Sequence, residues 1–457
     1  MELEENMGFC RNWVAKCLGV GLVALGMGAA SGQSVPAPDT PAGHVLHDWI
    51  TAFNSTDSAQ LAAYIQEHDP TQSVDGMLRF ESQTGGFDLI KIDASEPLQV
   101  DFEVKEKASA QVGFGSLQVK ADDPQKAKAF NVTAAPAGAE YEHVTLDEGG
   151  RRKVIEEIAS KLHEDYVDTA LAEKMIAAMQ LAEQKGDDKS TTDGAQFAKL
   201  LTDQMRAVSH DLHLNIRFTP FKQPEEQTRK GAKPSPEENA MERKGLERSN
   251  CDFEKVEVLP GNIGYIRFNA FDDPEICGPT VVSAMQFLAH VDAIIFDLRG
   301  NHGGDPRMVS LIASYLFDEP THLNDLYNRK DNATTQYWSL PYVPGKRLLV
   351  PAFVLTSHET FSGGEEFTYD LKELKRATIV GETTGGGAHP MAMVRVDEHF
   401  SMGMPVARPI NPVSKTDWEG KGVVPDVSVK ANDALPTAEK LASEKIPTAA
   451  GELSAQK

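Results

Sequence analysis

Phe353-Val354-Leu355-Thr356-Ser357-His358-Glu359-Thr360-Phe361-Ser362-Gly363-Gly364-Glu365-Glu366-Phe367 reads as a buried strand that breaks into a turn and opens a helix. The run from Phe353 to Thr356 is short and apolar, while Phe367, Leu371 and Leu374 recur at helical spacing. Ser362 stands at the turn, so the first N–H groups of the helix and the positive end of its dipole face whatever lies beside the serine. A nucleophile placed there is exposed and its developing oxyanion is stabilised. This is the physics of a nucleophile elbow, although the G-x-S-x-G spacing is absent. Ser362-Gly363-Gly364-Glu365 also fits a capping box, with Ser as N-cap and Glu at N3, which would be a purely structural use.

The segments around it repeat the same grammar. Asp297-Leu298-Arg299-Gly300-Asn301-His302-Gly303-Gly304-Asp305-Pro306 follows the apolar run Ala293 to Leu298 and precedes a helix at Met308 to Phe317. Its glycine amides can approach a carbonyl oxygen closely. A third glycine run, Gly381-Glu382-Thr383-Thr384-Gly385-Gly386-Gly387, follows a strand at Thr378 to Val380. Strands at Ile263 to Phe271 and Leu348 to Thr356 alternate with helices at Thr280 to His290 and Gly364 to Leu374. That alternation implies crossover units around a sheet with parallel strands, fold class α/β. Met391 to Pro412 alternates weakly and reads as a hairpin near the cleft.

Together the three glycine segments resemble the S41 serine peptidases, the family of tail-specific C-terminal processing proteases, tricorn protease and the interphotoreceptor retinoid-binding protein repeats. The resemblance runs from about 150 to 430. It implies a crotonase-like (ClpP/crotonase) α/β core, Ser362 as nucleophile, and an oxyanion hole from the amides of Gly363 and Gly303, with Gly304 the runner-up. The family loop usually reads Asn-Gly-Gly-Gly, and here His302 replaces its first glycine. The tail-specific branch pairs its serine with a lysine in a turn that falls at Gly387, where this chain has none. The tricorn-like branch uses Ser, His and Glu. Val208-Ser209-His210-Asp211-Leu212-His213-Leu214 offers two histidines: His213, in Asp-x-His-Leu, matches the family's Asp-Gly-His pattern, and His210, preceded by Ser209, is the alternative base. Glu419, three residues before Gly422-Val423-Val424-Pro425-Asp426, matches the tricorn-like glutamate that orients the base. His-x-x-His lacks the neighbours that would complete a zinc site, so no metal or organic cofactor is expected.

The chain has 457 residues, and at about 150 per domain that suggests two or three domains. Acidic residues outnumber basic ones 68 to 45, giving a net charge of -23 and no basic stripe, which excludes nucleic acid as a partner class. The apolar run Cys17 to Ala30, after Arg11 and Lys16, is too short to span a bilayer and has a signal-peptide pattern over 1–32. It implies an exported protein, periplasmic or secreted, with no stable membrane anchor after cleavage. Cys10 and Cys17 would leave with the signal, and Cys251 and Cys277 then suggest one disulfide, closing a loop worth very roughly 3 kcal/mol.

Residues 40–138 pair helical spacing (Val45 to His68) with strand alternation (Phe87 to Ile92, Leu98 to Val104, Ser116 to Val119). They read as a small α+β accessory domain whose organisation resembles the NTF2-like cone folds. A helical subdomain follows at 145–220, then a charged linker at 221–249, the catalytic domain at 250–433, and a C-terminal helix and tail at 434–457. The expected activity is hydrolysis of peptide bonds in peptide or protein substrates. The rival expectation is a non-catalytic protein of the same fold that carries a hydrophobic ligand or peptide. Nothing in the sequence speaks to oligomeric state.

Overall fold

The computed structural model describes residues 35–70, 72–136, 138–223 and 236–446. The expected signal peptide at 1–32, with Cys10 and Cys17, lies outside the described residues, as do 224–235 and the tail from 447. The chain divides into two compact units, one holding the residues up to 144 together with 219–249, the other 145–218 together with 250–457.

The first unit starts with helices Pro41–Asn54, Ser58–His68 and Val74–Thr84. Each opens on a side-chain cap, from Thr40, Asp57 and Ser73, which satisfies an amide the helix itself cannot. An antiparallel meander follows: β1 (Phe87–Glu96), β2 (Gln99–Glu106), β3 (Val112–Val119) and β4 (Ala127–Ala134), in that spatial order. Trp49 from the first helix stacks on Phe53 (5.3 Å between ring centroids) and Phe87 (5.8 Å) and meets Phe130 edge-on at 4.8 Å. This aromatic cluster is the heart of the unit's core. Helix Pro236–Arg248 belongs to the same unit, where Arg248 Nε donates to the Ser82 carbonyl at 2.6 Å.

The second unit opens with helices Glu148–Asp165, Thr169–Lys185 and Gly194–Ser209, N-capped by Asp147, Asp168 and Asp193. From there β5 (Asn215–Phe218) leaves the segment that carries both sequence-selected histidines. The remaining strands are β6 (Phe253–Leu259), β7 (Ile263–Phe268), β8 (Ala293–Asp297), β9 (His322–Asn328), β10 (Ala333–Trp338), β11 (Ala352–Thr356), β12 (Ala377–Gly381), β13 (Met391–Arg395), β14 (Phe400–Pro405), β15 (Ala407–Ile410) and β16 (Val427–Ser428). Six of them form the main sheet in the order β16-β12-β11-β8-β7-β6, parallel except for the β6–β7 edge hairpin.

Every residue of β8 and β11 is buried, which is why both read as unbroken apolar runs rather than alternating ones. One sheet face is covered by helix Ala431–Lys445, whose Ala434, Ala438 and Ala442 present no bulk and join the cluster of Ile295, Phe353, Leu355 and Val380. The other face carries Phe296 against Phe367 (5.2 Å). Cys251 and Cys277 are bonded, their Cα atoms 5.7 Å apart, tying the approach to β6 to helix Pro274–Phe287. Two three-stranded sheets, β10-β9-β15 and β13-β14-β5, flank the main one, and β13–β14 is the antiparallel hairpin expected after Met391. No helix among the described residues is long and apolar enough to cross a membrane.

One expectation is corrected here. The core is a single open, mostly parallel sheet with helices on both faces, not a crotonase-like (ClpP/crotonase) core. Strand–helix alternation is common to many α/β folds. What separates them is which strands become neighbours, and that is set by pairings between residues far apart in the chain.

Candidate active site

β8 and β11 are adjacent and parallel, so the loops leaving their C-terminal ends emerge side by side, where open α/β sheets place their ligand crevice. The two loops are stitched together: Ser357 Oγ donates to the Arg299 carbonyl (2.6 Å), Thr360 Oγ1 to the Leu298 carbonyl (2.8 Å), and Phe361 N–H to the Asn301 carbonyl (2.9 Å). At the end of this seam Ser362 adopts φ 52° and ψ -120°, a strained backbone for a residue with a Cβ, immediately before helix Gly363–Glu373. The Glu365 carboxylate accepts the Ser362 N–H (2.9 Å), and the Glu365 and Glu366 amides go to the Ser362 carbonyl (2.8 and 2.9 Å).

The glycines have no substitute here. A Cβ on Gly303 would lie 2.5 Å from the Gly363 nitrogen and 2.7 Å from Ser362 Cβ, and one on Gly364 would lie 2.7 Å from Asn301 Oδ1. Gly303, at φ 96°, gives its N–H to Asn301 Oδ1 at 2.9 Å. Among the described residues the amides of Gly363 and Gly304 have no acceptor, and the two lie together: a Cβ on Gly363 would be 2.9 Å from the Gly304 nitrogen. A pair of open amides beside a serine is an anion-binding arrangement.

His213 is 4% exposed, with its ring against Phe361, 4.7 Å between centroids, and its Cε1 2.8 Å from where a Cβ on Gly387 would stand. Ser362, Gly363, Gly304 and His213 thus gather around Phe361. His210 is elsewhere: it is exposed, in the left-handed conformation (φ 57°) that ends helix Gly194–Ser209. Glu419 does not meet His213 directly. Its Oε2 accepts the amides of Ala388 (2.6 Å) and His389 (3.2 Å) and lies 3.6 Å from His389 Nδ1.

The carboxylate that does face His213 is Asp211, whose Oδ1 accepts the His213 N–H (3.0 Å) and lies 3.9 Å from His213 Nδ1. Its Oδ2 accepts from His389 Nδ1 (3.0 Å) and from the Tyr166 hydroxyl (3.2 Å). Burial alone would raise the Asp211 carboxyl, but its hydrogen bond to His389 and the two nearby imidazoles hold it below the usual range. His389 is likewise pulled down by burial, and Asp211 and Glu419 more than reverse that, leaving it raised. Burial, and then the charge of Asp211, push Glu419 up to about 7. Sequence reasoning singled out neither Asp211 nor His389. Asp211 is the first residue of the Asp-x-His pattern, and His389 lies two residues past the third glycine run.

Asp211, His389 and Glu419 are also the one His/Asp/Glu group among the described residues with donor atoms close enough, within 4.8 Å, to be considered for a metal ion. Asp211 Oδ2 is bonded to His389 Nδ1 and Glu419 Oε2 to two backbone amides, so these atoms form a hydrogen-bonded charge network, while the buried Glu419 Oε1 has no hydrogen-bond partner among the described residues.

Residues 262–429, which include every loop described above except the 211–213 segment, match the profile of peptidase family S41. This stretch of the chain is a serine-type peptidase domain of family S41. Its fold is the S41-peptidase α/β fold, which replaces the crotonase-like expectation. Solved structures similar to this S41 peptidase include a candidate peptidase from Parabacteroides merdae, 18% identical over 64% of this chain and 96% of that one, with a TM-score of 0.47. The photosystem II D1 C-terminal processing protease is 17% identical over 66% and 98% of the two chains, with a TM-score of 0.41. Tricorn protease is 13% identical over 78% of this chain and 41% of its own, with a TM-score of 0.40.

Proposed function

We propose that this S41 peptidase cleaves peptide bonds through an acyl-enzyme formed on Ser362, with His213 as the general base. His213 takes the Ser362 proton as the hydroxyl attacks the scissile carbonyl and returns it to the leaving amine. Water then repeats the cycle on the ester. The Gly363 amide and, in place of Gly303, the Gly304 amide hold the oxyanion, because the Gly303 N–H is spent on Asn301. Glu419 acts at one remove, through His389 and Asp211. The observation that carries this reading is the strained Ser362 turn beside two open amides, with buried His213 packed on the neighbouring Phe361.

The signal-like run before Gln33 and the Cys251–Cys277 bond support an exported peptidase acting on peptides or proteins in the periplasm or outside the cell. Intact mass after exposure to a fluorophosphonate tests the chemistry. The wild type should gain one adduct, Ser362→Ala none, and His213→Ala should react slower by roughly 10⁴-fold, whereas His210→Ala should match the wild type. An adduct on Ser362→Ala, or a rate unchanged in His213→Ala and lost in His210→Ala, would overturn the assignment.

A further inference from the structure

Asp211 is asked to hold still while it serves two neighbours. It is 1% exposed, one oxygen accepts the His213 backbone N–H at 3.0 Å and stands 3.9 Å from the ring Nδ1, too far for a hydrogen bond but close enough for its charge to act there, and nothing cationic from its own segment anchors the other. That second oxygen is held by His389 Nδ1–H and the Tyr166 hydroxyl. His389 is itself fastened from the far side: Glu419 Oε2 accepts the His389 amide at 3.2 Å and stands 3.6 Å from Nδ1. The groups facing the imidazole are Asp211 from the segment before β5 and Glu419 and Asp417 from the loop before β16. Tyr166 and His213 face the same carboxylate, Asp211.

We infer that His389 is a positioning residue for acyl transfer: it clamps Asp211 at the angle that orients the His213 ring and links that carboxylate to Glu419. The inference rests on reading Ser362 and His213 as nucleophile and base. It explains how a glutamate that does not touch the base can still govern it. The negative charge of Asp211, 3.9 Å from His213 Nδ1, favours the tautomer with the proton on Nδ1, leaving Nε2 to receive the serine proton. If Asp211 swings, His213 loses that bias while the substrate cleft is untouched. The effect belongs to the rate of acylation and not to binding.

The test is fluorophosphonate inactivation of the full chain across pH 5 to 9, separating the limiting rate from the half-saturating concentration, for wild type, His389→Ala, His389→Asn and Ser362→Ala. The asparagine side chain can place an N–H near the position of Nδ1 but carries no titrating charge. His389→Ala is expected to lose about 100-fold in limiting rate, with half-saturation within about twofold of wild type, as a small misplacement of a catalytic group does. His389→Asn should recover to within about tenfold of wild type, with the acid limb of its pH profile displaced. Wild-type kinetics in His389→Ala would overturn the inference and leave the Ser362 reading intact. Equal losses in His389→Ala and His389→Asn, with both profiles shaped like the wild type, would also overturn it, by marking a merely structural role. Should His389→Ala fail to fold, His389→Asn decides: a displaced acid limb supports the inference and an unchanged profile overturns it. A wild type that reacts no faster than Ser362→Ala would fail the underlying reading, and this inference with it.

Discussion

Glu365 is the residue on which most of the cleft converges. Fully buried, it accepts the Thr384 hydroxyl (2.5 Å) and the amides of Gly386 (2.7 Å), Gly387 (2.8 Å) and Ser362 (2.9 Å). One carboxylate thereby joins the Ser362 turn to the glycine run that packs on His213. Its carboxyl is nonetheless raised, to about 7, because burial outweighs the four donors. Glu365→Gln must present an N–H to two of those four donors whichever way the amide turns. It should cost about 2 to 4 kcal/mol of stability and slow fluorophosphonate labelling of Ser362 by more than about tenfold. Labelling and melting temperature both at wild-type values would show that the carboxylate is dispensable. Ser362 and Glu365 were legible together because a turn with Ser and Glu three apart has few uses. Asp211 and His389 were not, since a lone buried Asp or His is ordinary until its partners are known, and theirs come from segments about 180 residues apart in the chain.

Among the elements, strands β8 and β11 and the helix after Ser362 could be read directly, because complete burial leaves a continuous apolar run and one-sided burial leaves a helical stripe. The exposed strand β10 and the two-residue β16 left no such imprint. Helix Pro236–Arg248, in a stretch dominated by charge, has no apolar stripe to announce it. Helix Ala431–Lys445 shows the reverse case, where the missing bulk is the signal: alanines at 434, 438 and 442 let it lie close over Phe353 and Ile295. Ala438→Leu should overpack that seam and destabilise by about 1 to 3 kcal/mol. Fluorophosphonate reactivity at 25 °C should persist, since the seam lies beneath the sheet and not in the cleft. Unaltered thermal unfolding of this variant would refute the close-packing account.

For the molecule as a whole, buried carboxyls set an unusual dependence on pH. Glu366 as well as Glu365 and Glu419 is raised to about 7 by burial, and Asp370, buried beside Glu366, is raised well above its ordinary value. A group raised on folding binds its proton more tightly in the folded chain. Its stabilising contribution is complete below the unfolded value and is lost as pH climbs through the folded one. Asp211 and Asp297 are depressed and act oppositely, withdrawing stability only in strong acid. Denaturant midpoints should therefore fall as the pH rises from about 5 to about 8, the window spanned by ordinary and raised carboxyls. A midpoint that stays level or rises across that window would contradict the burial of these groups. The sequence foretold an acidic surface but could not say which carboxyls go inside, because that depends on pairings across the fold.

The strand order of the main sheet has a temporal side. His213 is made early, Ser362 about 150 residues later, and Glu419, β16 and the alanine-lined helix later still. A chain emerging from the ribosome at about 5 to 20 residues per second carries Ser362 for several seconds before β16 and the covering helix exist to steady the sheet beneath it. The proposed Ser362–His213 pair therefore rests on a sheet whose edge strand β16 and covering helix are synthesised after both residues.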